Sequence, residues 1–130
     1  MAMHGELGAA YAAKGYAHYT SNLGVCMVST GCGSVNTLTG VLAAYQDNVP
    51  MFVVAGEIYS HQYYTWARQS GTQSANMKAL AGSIVKHFYR VVNPQTVPEE
   101  MRRCHLIAKD GRPGPVWIEV PLNLQSAVMV

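Results

Sequence analysis

Charge is scarce in this sequence. Only 12% of its 130 residues are charged, and nine basic against seven acidic side chains leave a formal balance of +2. So small an excess cannot neutralise a run of phosphates, and a nucleic-acid footprint would need its basic residues clustered. The nearest cluster is Lys86, His87 and Arg90, followed by Arg102 and Arg103. That is too thin, and no nucleic-acid partner is expected. No segment approaches the roughly 20 apolar residues of a membrane-spanning helix, so no membrane partner is expected either. The start, Met1-Ala2-Met3-His4-Gly5-Glu6, lacks the basic opening and apolar run of a signal peptide. Cysteine is sparse too. Cys26, Cys32 and Cys104 form neither an even disulfide set nor a CxxC pair, which favours a reducing compartment and predicts a cytoplasmic location. None of the five histidines stands at zinc-ligand spacing from a Cys or a carboxylate, which argues against a structural metal.

What the sequence does have is apolar mass. Hydrophobic residues make up 49% of it, the reverse of a disordered composition. The length suits one domain over residues 1–130 with a real core. With few charges to build a polar skin, much of the apolar surface is expected to face another chain or domain.

Glu6 to Ala17 reads as a helix whose small residues Ala9, Ala12, Ala13 and Ala17 recur at spacings of three and four, giving a smooth face for close packing. Gly24 to Ser29 is a short apolar run suited to a strand buried on both faces. Thr30 to Ser34 supplies a turn and a helix start, with Ser34 or Thr30 able to cap. Leu38, Val41, Leu42 and Tyr45 follow at helical spacing, and Met51 to Ala55 is a second buried strand ending at Gly56. Glu57 to Gln73 turns polar and aromatic and reads as a long loop of the sort that carries function. Lys86 to Val92 reads as a strand. Val97 to Lys109 reads as a helix with Pro98, Glu99 and Glu100 in its first turn. A Gly/Pro turn over 111–115 then leads into a last strand, Val116 to Val120. Strands alternating with helices predict an α/β fold, a three-layer parallel sheet with helices on both faces. Such a layer normally opens on a strand, whereas this chain opens on a helix. The first strand–helix unit is therefore expected to be missing, by truncation or in a naturally short form.

Glu6, at a helix N-terminus, reads in two ways. It is a first-turn acid favoured by the helix dipole, or a carboxyl in an apolar site that can exchange a proton. Gly31-Cys32-Gly33 lies at a strand's carboxyl end before a helix, where open α/β sheets bind ligands. Its pattern is not the dinucleotide fingerprint. Cys32 there is a candidate thiolate nucleophile or simply a small residue in a tight turn. Glu57 ends the second strand on the same edge and either faces that crevice or is a solvated loop acid. Asp110-Gly111 reads as a structural turn.

Four ordered segments together resemble the thiamine-diphosphate enzymes. His4-Gly5-Glu6-Leu7-Gly8-Ala9-Ala10-Tyr11-Ala12-Ala13-Lys14-Gly15-Tyr16-Ala17 is similar to their glutamate-bearing helix, written HEQGAA…A.GYA. Gly24 to Asn36 is similar to GV…TSGPGATN, and Gly40 to Glu57 to TG…A…DS.P followed by GQ. Gly111 to Pro121 is similar to the GRPGPV….P segment that closes their N-terminal pyrimidine-binding (PYR) domain. The nearest flavour is the acetolactate synthase-like group.

The resemblance implies that the chain is a PYR domain. The Glu6 carboxyl would hydrogen-bond N1′ of the aminopyrimidine and favour the imino tautomer that takes up the proton from thiazolium C2. Cys32, Asn36 and Glu57 would line the pyrimidine pocket, where the family carries Pro, Asn and Gln. Gly5 stands in place of the family's His. Gly71 to Met77 stands where true acetolactate synthases carry GTDAFQE, and its Phe-Gln-Glu is lost. The Gly-Asp-Gly and following Asn that hold diphosphate and magnesium are absent from the sequence. The implied cofactor is therefore thiamine diphosphate shared with a diphosphate-binding domain or subunit, with Mg2+ on that partner. A homo- or hetero-oligomer and a small 2-keto acid substrate are implied as well. Two other functions fit the residues: a PYR-like interaction module without catalysis, and a small α/β enzyme using Cys32.

Overall fold

The computed structural model describes residues Met1–Val128. Four strands, β1 (Gly24–Val28), β2 (Met51–Glu57), β3 (His87–Arg90) and β4 (Pro115–Pro121), form one sheet in the order β1-β2-β4-β3. All three pairings are parallel. Helices α1 (Glu6–Thr20), α2 (Cys32–Asn36), α3 (Leu38–Gln46), α4 (Met77–Ala81), α5 (Val97–Lys109) and α6 (Leu122–Gln125) make the connections. The expected α/β architecture with helices on both faces is what forms.

The strand period of two sorts the core into two layers. Cys26, Val28, Met51, Val53, Ala55 and Trp117 face a cluster that includes Ala10, Ala13 and Ala17 of α1 and Val41 and Ala44 of α3. Phe52, Val116 and Ile118 face the other way, onto Cys104 and Ala108 of α5. The buried face of α1 is Ala10, Ala13 and Ala17; of the stripe read from the sequence Ala13 and Ala17 belong to it, whereas Ala9 is half-buried and Ala12 exposed. This face lets α1 approach so closely that a Cβ on Gly40 of α3 would come 2.7 Å from the Ala10 Cβ. Lys14 pairs with Asp47 at 2.6 Å and ties α1 to the end of α3. The hydrogen bond from Lys14 holds the Asp47 carboxyl below its ordinary range.

Two expectations need correcting. The first strand is not buried on both faces, since Val25 is 57% and Met27 77% exposed. The reason is its edge position. Helix α5 packs on β4, β2 and β3 and does not reach over β1, so only the α1 side of β1 is covered. Neither Ser34 nor Thr30 caps α2. Gly31 is the N-cap residue, while the Ser34 hydroxyl donates back to the Ser29 carbonyl at 2.7 Å. The long loop expected after β2 does form, with a 3-10 turn at Ser60–Gln62, and leads into α4, which follows the polar segment. The Asn76 side chain accepts from the Ala79 amide and starts α4.

The basic cluster noted in the sequence is largely turned inward. Lys86 Nζ donates to the Ile107 and Asp110 carbonyls at 2.5 and 2.6 Å, satisfying the carboxyl end of α5. Among the described residues no helix is long and apolar enough to cross a membrane.

The close α1–α3 approach predicts opposite outcomes for two glycines. Gly40→Ala should lower stability in urea denaturation by about 1–3 kcal/mol, as overpacking does. Gly15→Ala, on a mid-helix position of α1 with open space around it, should raise stability by roughly 0.5–1 kcal/mol. Equal effects at both sites would contradict the packing described.

Candidate functional site

Parallel strands deliver their carboxyl ends to one edge, and here that edge carries the polar residues of an otherwise apolar sheet. At the end of β1 the chain turns through Ser29, Thr30 and Gly31 into α2. Gly31 has φ +57°, and a Cβ there would collide with the Gln73 carbonyl, so only glycine fits the turn. Gly33 is constrained by approach instead. A Cβ on it would strike the Ser29 hydroxyl and lie 3.0 Å from Glu6 Oε1.

Glu6 is the first residue of α1, half-buried, with its carboxylate beside Gly33. Asn36 Nδ2, at the end of α2, donates to Glu6 Oε2 at 3.4 Å. A groove of about 710 Å³ opens from Glu6 along the free edge of β1, lined by residues of the N-terminal segment, by Ala9, Ala13 and Tyr16 of α1 and by Val25 to Ser29. Cys26 lies in this wall, and burial, with a smaller push from Glu6, raises its thiol above the ordinary value. Cys32 is an exposed free thiol in the first turn of α2. The structure thus brings Glu6, Asn36 and the Gly33 backbone together at one end of a groove, while the exposed Cys32 is not among the residues that line it.

Glu57 is placed differently. Its side chain is 1% exposed, and its oxygens are occupied within the fold. Oε1 accepts from Thr30 Oγ1 at 2.9 Å and from the Ile58 amide at 2.8 Å. Oε2 lies 3.3 Å from Arg90 Nη2. The solvated-loop reading of Glu57 is therefore corrected: β2 runs on through this residue and buries it. It meets the crevice only through Thr30.

The same cluster holds Glu119, which the sequence reading did not single out, and Arg90, which it noted only within a thin basic cluster. Arg90 Nε donates to Glu119 Oε2 at 2.7 Å, and Nη2 approaches the same oxygen at 2.5 Å. The Arg90 guanidinium lies 3.4 Å from the centroid of the Tyr63 ring. Register explains the meeting. Arg90 is opposite Glu119 across β3 and β4, and Ala55, two residues before Glu57, is opposite Glu119 across β4 and β2. A signal was present, because an ionisable residue at the end of an apolar parallel strand is a buried charge awaiting a partner. Burial pushes the Glu119 carboxyl up to about 7 against the pull of Arg90, and the nearby Glu57 charge pushes the same way. Its Oε1 is buried without a hydrogen-bond partner. Burial works to lower the Arg90 pKa, but Glu119 overrides it and the net shift is upward.

A carboxyl whose folded pKa exceeds its unfolded one takes up a proton on folding. Its stabilising contribution is complete below the unfolded value near 4.5 and is lost as pH rises through about 7. Between pH 5 and 8 the native chain should therefore lose on the order of 3 kcal/mol relative to Glu119→Gln. Urea denaturation of both proteins at the two pH values measures this. Parallel pH profiles would contradict it.

Residues 1–80 match the family described as thiamine pyrophosphate enzyme, N-terminal TPP binding domain. The chain is 35% identical over 122 residues to the acetolactate synthase large subunit of Corynebacterium glutamicum, covering 94% of this chain and 19% of that protein. It is 37% identical over 122 residues to the acetolactate synthase of Arthrospira platensis, covering 94% and 20%. To acetolactate synthase 2, chloroplastic, of Nicotiana tabacum it is 34% identical over 125 residues, covering 96% and 18%. The chain spans about a fifth of the length of these curated relatives. The groove headed by Glu6 thus lies in a chain that belongs to the thiamine pyrophosphate enzyme family, as a member of its N-terminal TPP-binding domain.

Proposed function

We propose that this chain is the pyrimidine-binding portion of a thiamine-diphosphate-dependent 2-keto acid decarboxylase or carboligase of acetolactate synthase type, active only with a diphosphate-binding domain. The observation that carries the reading is the Glu6 carboxylate at the head of α1, held against the Gly33 backbone and within reach of Asn36. The fit to an aminopyrimidine is chemical as well as spatial. A half-buried carboxylate can accept from a ring N–H or donate when protonated, and glycine at position 33 lets that carboxylate sit close against the turn. Glu6 and Asn36 would hold the ring, with Cys32 in the first turn of α2 beside Gly33 and Glu57 acting through Thr30. Thiamine diphosphate, when bound, supplies a thiazolium that serves as the electron sink for decarboxylation. Glu6 would hold and move a proton at its Oε atoms, while the apolar wall of Cys26 and Val28 keeps water from that exchange.

The rest of the enzyme would lie outside these 130 residues. The sequence contains no Gly-Asp-Gly with a following Asn, so the diphosphate and Mg2+ would be held by another domain or subunit, in a homo- or hetero-oligomer. The exposed Leu7, Tyr11, Tyr16 and Tyr19 of α1, with Val25 and Met27 of β1, support a surface that other protein covers. The relatives' names support acetolactate synthase chemistry on a small 2-keto acid, and free cysteines support a cytoplasmic setting.

Calorimetric titration with thiamine diphosphate and Mg2+ should show no tight saturable binding by the lone chain. Added diphosphate-domain protein should restore decarboxylation of a 2-keto acid. Glu6→Gln should then lower the rate by at least about 100-fold, the scale of a lost general acid–base group. Full activity in Glu6→Gln would sink the proposal.

A further inference from the structure

The cluster at the carboxyl edge of β2, β4 and β3 contains one guanidinium for two carboxylates, and its geometry exceeds what charge neutralisation needs. Arg90 reaches from β3 across β4 to β2. It donates through Nε and Nη2 to Glu119 and approaches Glu57 with Nη2. Its flat face is spent on Tyr63, a residue of loop 58–76. Beyond Tyr63, that loop rests on the crevice turn at a second point, where the Gln73 carbonyl packs against Gly31, and Gly71 packs against Ile58. Ser70 Oγ closes the loop on itself, accepting from the Tyr64 amide and donating to the Tyr64 carbonyl, each at 3.1 Å. Glu57 links the two ends of this arrangement, with one oxygen toward Arg90 and the other toward Thr30.

We propose that Arg90 is a positioning residue, a clasp across three strands that holds loop 58–76 onto the Thr30–Gly33 turn and keeps the charge of Glu57 inside the fold. Three properties of the side chain fit it for this. The guanidinium has donors enough for both carboxylates, it presents a plane to the aromatic ring, and it stays charged when buried. A lysine ammonium can neutralise one carboxylate but cannot fork onto two acids and stack at once. Released from Arg90, Glu57 would retain Thr30 Oγ1 as its partner and bring its charge to the turn. The crevice would then present an added anion to any anionic ligand. That this turn borders a cofactor pocket rests on the function proposed above. The clasp itself does not.

Hydrogen exchange read by mass spectrometry on the full chain tests the clasp without any ligand, so its outcome is separate from that of the thiamine reading. Amides of loop 58–76 should exchange about five- to tenfold faster in Arg90→Lys and in Tyr63→Ala, the scale of a lost cation–π contact. Those of α1, α3 and α5 should keep their protection. Tyr63→Ala leaves the buried charges paired, so it reports on the clasp even if Arg90→Lys fails to fold. Tyr63→Phe keeps the ring and should stay within about twofold of the parent chain. The proposal is overturned if the loop is already unprotected in the parent chain, or if loop exchange is unchanged in Tyr63→Ala. A uniform rise across all helices in that variant, or Tyr63→Phe behaving like Tyr63→Ala, would overturn it equally.

Discussion

The parallel alignment of four strands is the constraint on which everything else here depends. In a parallel sheet all carboxyl ends meet at one edge, and a side-chain period of two fixes which face each terminal residue takes. Ala55, Trp117 and Phe88 belong to the layer beneath α1 and α3. Two residues further along each strand, the same face receives Glu57, Glu119 and Arg90. The stacked rings of Phe88 and Trp117, 6.2 Å apart, form the floor under those charges. On the neighbouring strand the same edge yields the turn that brings Gly33 against Glu6. Apolar packing and the polar site are therefore one arrangement, and a register slip in β4 would dismantle both.

The same edge governs the charge at position 57. Turned outward, the Glu57 carboxylate would set a negative charge beside the crevice. In the fold that charge is turned away from the pocket and shared with Arg90. Burying two acids with one base is not a route to stability in itself, since desolvation offsets most of the attraction. Its consequence is geometric: β2, β3, β4 and the following loop are tied at one point.

Much of this was legible in the sequence. Alternating short apolar runs and helical segments predict the α/β layers, and the glycine- and alanine-rich face of α1 predicts its close contact. Glu6 and Asn36 were recognisable through resemblance, because their separation of 30 residues means nothing until α1 and α2 are placed side by side. The exposed face of β1 was not legible. A run such as Gly-Val-Cys-Met-Val does not reveal whether its strand is central or at an edge, and edge position is set by the whole topology. The pairing of Arg90 with Glu119 escaped notice for a related reason. They sit 29 residues apart, and only cross-strand register pairs them.

The proposed function requires that Glu6 and the Ser29–Asn36 turn form the wall against which a thiamine ring rests. Its most direct measurement is an amide chemical-shift map of the isotopically labelled chain titrated with millimolar thiamine. The account predicts shifts concentrated at Gly5 to Gly8 and Ser29 to Asn36, lost in Glu6→Gln. Resonances of that wall that stay still while others move, or a Glu6→Gln map identical to the parent's, would contradict it.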